Sequence, residues 1–229
     1  MGVLMKDNIT IVFPNSSESL KQRVFRIRYQ VYIDEMRLPL PVTSKGLLHD
    51  DFDSKSINLL YSKGNQDIGT MRITFLKDGN LEIMQQSPRW RHIVSTKFKD
   101  ANSVCEFNRF IVKASGRGSA AASAHLMYTA FTYCTSVNAY NVLAAGKVGR
   151  LTSYYKKIFG SIIDNELVHY VLDGHSLGQY RLMYFNFGMP HSFRRCTISA
   201  TYSILNYFCC NHWTLFKSLF QRGQGFKKK

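Results

Sequence analysis

The stretch Val104-Cys105-Glu106-Phe107-Asn108-Arg109-Phe110-Ile111-Val112, running on through Lys113-Ala114-Ser115-Gly116-Arg117-Gly118-Ser119 into the alanine-rich run Ala120 to Cys134, decides the fold class. Val104–Val112 has the apolar, β-branched and aromatic character of a strand. The two glycines punctuate a turn, and the alanine-rich run has the length and propensity of a helix. A strand that enters a helix through a glycine turn gathers backbone N–H groups at the helix start, which is an anion-binding arrangement. Two charges, Glu106 and Arg109, interrupt the strand. Buried charges need partners, so of all the charged positions this pair is the least suited to decoration. A regular strand points residues three apart to opposite faces, whereas a β-bulge between them brings both to one side.

Upstream, Ile9–Phe13 reads as a short strand and Pro14-Asn15-Ser16-Ser17-Glu18 as a helix start, with Asn15 as cap and Glu18 closing a capping box. The helix is expected to run to about Met36, burying Leu20, Val24, Ile27 and Val31, with Arg28 and Tyr32 together on the adjoining face. A loop with Pro39, Pro41 and Gly46 ends in His49-Asp50-Asp51-Phe52-Asp53, and Ile57–Ser62 and Ile68–Leu76 form a hairpin around Lys63-Gly64-Asn65. Gln85–Asn102 reads as polar, basic loop with some helix. Downstream come strand Val142–Ala145, a short helix Leu151–Phe159, and strands Val168–Leu172 and Leu182–Phe187. A helix, a hairpin, then β, α, β, α and β predicts an α/β fold on a mixed sheet.

At 229 residues, 45% hydrophobic and 14% aromatic, the chain can bury a full core without staples. Residues 1–190 read as one domain and 191–229 as an extension. Within the latter, Cys196–Phe216 carries no Asp, Glu, Lys or Arg between basic flanks, which favours a buried or interfacial helix over a membrane span and leaves a membrane-surface role open. Five cysteines without a framework suit a reducing compartment, and no secretory signal is evident at the N-terminus, so a cytoplasmic location is expected. The seven histidines show no ligand spacing, and no metal is expected. A formal charge of +15 suits nucleic acid, an anionic membrane or an acidic protein such as an acyl carrier protein, and no nucleic-acid-binding motif accompanies it.

Taken singly, Arg28-x-x-x-Tyr32 is a solvated helix face, Asp50-Asp51-Phe52-Asp53 an exposed acidic turn, and Arg72, alternating with Thr70 and Thr74, a polar strand face. Together they suggest a cleft in which Arg72 and Arg109 hold Asp50, Asp53 and Glu106 ionised. In order and spacing, Arg28-x3-Tyr32, Asp50-x2-Asp53, Gly69-x2-Arg72 and Glu106-x2-Arg109-Phe110 resemble the signature of the acyl-homoserine lactone (autoinducer) synthases and their relatives the N-acyl amino acid synthases, both within the GNAT acyltransferases. The resemblance covers roughly residues 20–160. It implies a three-layer αβα fold with a central, partly splayed mixed sheet.

The resemblance further implies that Lys113-x-x-Gly116-x-Gly118, with the N–H groups from Phe110 through Val112 to Arg117 and Ser119, binds the donor's pyrophosphate or phosphopantetheine, although Lys113 stands where Gln or Arg is usual. It makes Tyr155, or its neighbour Tyr154, in Tyr154-Tyr155-Lys156-Lys157, the group that protonates the leaving thiolate. The autoinducer synthases carry a tryptophan where this chain has Leu38, a departure that favours the N-acyl amino acid synthases over lactone formation. The implied reaction moves a fatty acyl group from an acyl carrier protein or CoA thioester to the amine of an amino-acid-like acceptor, with no tightly bound cofactor. Glu106 is then the expected base, directly or through one water, and N–H groups near Phe110 and Ile111 the oxyanion donors. Arg28 would meet an acceptor carboxylate beside Tyr32. Met71, Phe75, Phe107, Leu126, Met127 and Phe131 are candidates for an acyl slot, and Arg89–Lys99 and Arg150 for the carrier-protein surface. A non-catalytic basic protein bound to nucleic acid or membrane is the rival, disfavoured because a binder has no use for charges inside a strand.

Overall fold

Alternation along the central hairpin sorts the core into two faces. Leu59 and Tyr61 of one strand and Met71, Ile73 and Phe75 of the next lie in one buried cluster with Leu126 and Ala130, while the intervening Leu60 packs with Val12, Val24 and Ile27. In the computed structural model, which describes residues 7–40, 46–116, 120–149, 161–172 and 174–187, these strands belong to one seven-stranded sheet. Its strands are β1 (Asp7–Val12), β2 (Ile57–Lys63), β3 (Gln66–Phe75), β4 (Val104–Val112), β5 (Asn141–Lys147), β6 (Ser161–Leu172) and β7 (His175–Asn186), in the order β1-β2-β3-β4-β5-β7-β6. Helix α1 (Glu18–Tyr29) covers one face and α4 (Ala120–Ser136) the other; the short α2 (Ile83–Gln86) and α3 (Pro88–Lys97) follow β3. This is the expected mixed α/β sandwich. The Gln85–Asn102 stretch is more helical than its polarity suggested, because Trp90 and Val94 are fully buried and anchor α3.

Among the described strands only β4 and β5 pair in parallel, as the crossover through α4 requires. Their register extends from Val104↔Asn141 to Glu106↔Leu143, after which the two strands part. β4 also bulges. Arg72 of β3 pairs with Asn108 and Thr70 with Ile111, so Arg109 and Phe110 stand opposite one residue, Met71. Arg109 takes the bulge with φ +49°, a left-handed backbone that few non-glycine residues adopt. The split sheet and the bulge together create the site.

Two local expectations changed. The capping box at Asn15 and Glu18 does not form: the helix is capped at Ser17 without a side-chain bond, Ser16 Oγ accepts from Phe13 N at 2.9 Å, and Glu18 pairs with Lys21. Helical structure does reach Glu35, but past Tyr29 it loosens into a π turn, Gln30–Glu35. None of the described helices is long and apolar enough to cross a membrane. The expected helix Leu151–Phe159, the uncharged run Cys196–Phe216 and the whole 191–229 extension lie outside the described residues.

Candidate active site

A polar lattice is buried against the α1 face of the sheet. Arg28, one turn before the π segment, donates from Nη1 to both oxygens of Asp53 at 2.7 and 2.8 Å, and from Nη2 to Asn58 Oδ1. Asp53 belongs to a single 3-10 turn, Asp51–Lys55, whose capping box is made of the acids themselves: Asp50 accepts from Phe52 N and Asp53 from Asp50 N, both at 3.0 Å. The acidic turn that reads as exposed in isolation is therefore folded inward. Arg72 is completely buried rather than solvent-facing; it meets Asp50 and Asp53 through Nη1, Glu82 through Nη2, and Asn108 Oδ1 through Nε at 2.9 Å. The bulge turns Arg109 to the same side, where its Nη2 reaches Asp50 Oδ2 at 2.8 Å and Glu82 Oε1 at 2.9 Å.

Glu82 is the hub that reading the sequence missed. Arg72, Arg109, Asn108 (3.0 Å) and the Tyr170 hydroxyl (2.7 Å) all donate to it, filling the four acceptor positions of a carboxylate. A signal was present: Glu82 sits between Leu81 and Ile83 in an apolar run, as Glu106 does in its strand.

Three guanidiniums thus meet three carboxylates, Asp50, Asp53 and Glu82. Burial would raise the Asp50 carboxyl, but Arg72, Arg109 and Arg28 outweigh it and hold it well below the ordinary range; burial opposes and Arg28 and Arg72 likewise depress Asp53. Glu106 is the fourth acid, with no cation left for it. It is 0% exposed, and burial, reinforced by the charge of Glu82, pushes its carboxyl up to about 8. Its Oε2 accepts from Ile83 N at 3.4 Å and its Oε1 has no hydrogen-bond partner.

The lattice opens onto one side of a cavity of about 270 Å³ at the split between β4 and β5. Asn108, Arg109, Tyr170, Tyr32, Tyr180 and Lys147 supply its polar wall, and Met36, Leu38, Met71, Phe107, Phe110, Ile111 and Met127 its apolar one. Of the acyl-slot candidates, Met71, Phe107 and Met127 line it, while Phe75, Leu126 and Phe131 are core. Arg28 does not line it; its Nη1 and Nη2 are committed to Asp53 and Asn58, and its Nε, though unpartnered, is buried away from the cavity. In the glycine loop, Lys113 N bonds Ile68 O at 2.9 Å and Gly116 N bonds Lys113 O at 2.8 Å. Arg117, Gly118, Ser119, Arg150 and Tyr155 lie outside the described residues.

The FeeM family of N-acyl amino acid synthases matches residues 23–170, more than half of the 229-residue chain. The chain belongs to that family. Its members are N-acyltransferases, and acyl transfer to an amine is the chemistry of the chain. No curated protein matches it in sequence. Among solved structures it is similar to FeeM, an N-acyl amino acid synthase from uncultured soil microbes (TM-score 0.65, 12% identity, 85% of this chain and 96% of that one). It is similar also to the AHL synthase LasI (0.63, 14%, 86% and 95%). A third is the CoA-dependent acyl-homoserine lactone synthase BjaI, solved with SAM and isopentyl-CoA (0.61, 14%, 86% and 90%). At these identities the likenesses establish the fold, which is GNAT-like.

Proposed function

We propose that the chain transfers a fatty acyl group from a phosphopantetheine thioester, carried by an acyl carrier protein or by CoA, to the amine of an amino acid. One observation carries this reading: a buried, charge-balanced lattice ends at a cavity lined by both polar side chains, among them Asn108, Arg109 and Tyr170, and apolar ones, among them Met71, Phe107 and Met127, at the parting of β4 and β5. The apolar wall suits an acyl chain and the polar wall an amine. That BjaI was solved with isopentyl-CoA supports a CoA-type donor.

The amine nitrogen attacks the thioester carbonyl, the C–N bond forms, and the C–S bond breaks to release a thiolate. N–H groups at the bulge, near Phe110 and Ile111, would hold the oxyanion. The loop Lys113, Gly116, Arg117, Gly118 and Ser119 would hold the donor's phosphates, and Tyr155 would protonate the thiolate. Asp50, Asp53, Arg28, Arg72 and Glu82 keep Arg109 and Asn108 in place. Among the described residues Lys147 and Arg109 are the cations that line the cavity, and a carboxylate of the acceptor would be drawn to this side of it. Glu106, the base expected from the sequence, keeps its proton at neutral pH and lies behind the cavity wall. In this reading it pins α2, and with it Glu82, through Ile83 N.

The test is mass spectrometry of lipids from bacteria expressing the chain or its Asp50→Asn variant. A new N-acyl amino acid made by wild type and lost in the variant is expected. Acyl-homoserine lactone in its place would move the chain to the autoinducer synthases, and identical extracts from both soluble proteins would overturn the reading.

A further inference from the structure

Among the described residues, the cavity wall contains no carboxylate, and the acids of the lattice reach it only through their partners. A proton leaving the amine reaches the lattice most directly through a wall residue that is hydrogen-bonded to one of its acids. Asn108, Arg109 and Tyr170 are wall residues that touch Glu82. The asparagine amide cannot shuttle a proton. The Arg109 guanidinium, though burial works against its charge, is held even more firmly protonated by Glu82. Lysine, Lys147 included, offers only donors as an ammonium. A phenol can accept one proton while giving up another.

We propose that Tyr170 is the catalytic proton relay of the acyl transfer, passing the amine proton to Glu82. The inference rests on the acyltransfer reading of this site. Tyr170 lies on β6 and its hydroxyl crosses to Glu82 Oε1, the oxygen that Arg109 also holds. Its ring is buried against Tyr180, with centroids 4.9 Å apart, so the hydroxyl has one fixed position. Burial, then the charge of Glu82, push the phenol well above its ordinary value, so it stays neutral and acts by relay, never as phenolate. A phenol that donates to a carboxylate is also a stronger acceptor toward the cavity.

The step balances without a free lone pair on Glu82. As the C–N bond forms, the nitrogen gives its proton to the Tyr170 oxygen while the phenolic proton crosses the existing hydrogen bond to Oε1. The sulfur takes the C–S electron pair and leaves as thiolate. Tyr170 remains neutral throughout, and Glu82, now protonated, donates back along the same hydrogen bond until the proton returns to solvent.

The test compares wild type with Tyr170→Phe in single-turnover acylation of an amino acid and of hydroxylamine, a nucleophile that attacks already neutral and yields its proton readily. With the amino acid the variant should lose roughly 10²- to 10⁴-fold in rate, the range of general acid–base catalysis, with KM for the donor unchanged. With hydroxylamine the loss should shrink to less than about tenfold. Equal losses with both nucleophiles, or a rate within about threefold of wild type, would overturn the relay. Wild type tests it without a variant: two protons in flight should bow the plot of rate against deuterium fraction, and a straight line overturns the proposal. Wild type that acylates no amine would overturn the acyltransfer reading itself, and the relay with it.

Discussion

At the scale of single residues, the controlling fact is parity. Three arginines and three carboxylates neutralise one another in a largely buried lattice, with only Asp50 partly exposed, and the fourth acid, Glu106, keeps its proton instead of its charge. The sign of the consequence is definite. Glu106 has a folded value, about 8, above the ordinary glutamate value of 4.5, so the folded state holds a proton that the unfolded chain gives up between those limits. Its contribution to stability is complete below pH 4.5 and is lost as pH rises toward 8, at roughly 1.4 kcal/mol per pH unit at most. Asp50 and Asp53, held low, act oppositely: their contribution is present above pH 4 and lost in acid. Glu106→Gln keeps the shape and removes the titration. Its melting temperature relative to wild type should therefore climb steadily from pH 5 to pH 8. A constant difference across that window would mean that Glu106 is ionised in the fold. Reading the sequence brought out Asp50, Asp53, Arg72 and Arg109 as a set, because their order and spacing resemble a family signature and Arg109 interrupts an apolar strand. It missed Glu82 and Tyr170, which stand 88 positions apart and meet only when β6 closes over α2.

At the scale of elements, the hairpin, the β4 strand and the α4 crossover were legible because alternation, turn glycines and alanine content are local properties. Gly64 takes φ +58° at the hairpin tip that its sequence announced. The π turn after α1 was not legible, since one wider turn hardly disturbs a helical hydrophobic stripe. The bulge was legible only as a demand, made by two charges at the wrong spacing. The glycine loop makes a sharper demand: a Cβ on Gly116 would lie 2.2 Å from Ile68 Cγ2 and 3.1 Å from Val112 Cγ1. Ile68 is β-branched and its carbonyl anchors Lys113, so it has little freedom to retreat. Gly116→Ala should therefore lift the loop from β3, at a cost of about 1–3 kcal/mol, and raise KM for the acyl donor. Trimming the obstacle in Gly116→Ala/Ile68→Ala should restore much of the donor KM while leaving the protein less stable. Donor KM measured for the three proteins decides this; no recovery in the double variant would mean that Gly116 serves the loop by flexibility alone.

At the scale of the whole molecule, the lattice consumes equal numbers of each sign and leaves the full surplus of +15 on the rest of the chain. Part of the Arg89–Lys99 patch is already engaged: Arg89 bridges Asp164 and Glu166 at 2.9 Å, and so fastens α3 to β6. Arg91, Lys97 and Lys99 remain exposed on and just beyond α3. If the donor is the carrier-protein thioester proposed above, such a surface would draw it in by long-range attraction, which salt screens, whereas an uncharged acyl-pantetheine analogue would feel only the cavity. Raising sodium chloride from about 50 to 500 mM should accordingly lower kcat/KM with an acyl carrier protein by roughly tenfold or more, and with the analogue by less than about twofold. Charge reversal in Arg91→Glu/Lys97→Glu/Lys99→Glu should imitate high salt for the carrier-protein donor and leave the analogue unaffected. Equal salt slopes for the two donors would mean that the surplus charge serves another partner. Unchanged carrier-protein kinetics in the triple variant, with the salt slope intact, would move the docking face away from α3 to basic residues elsewhere on the chain.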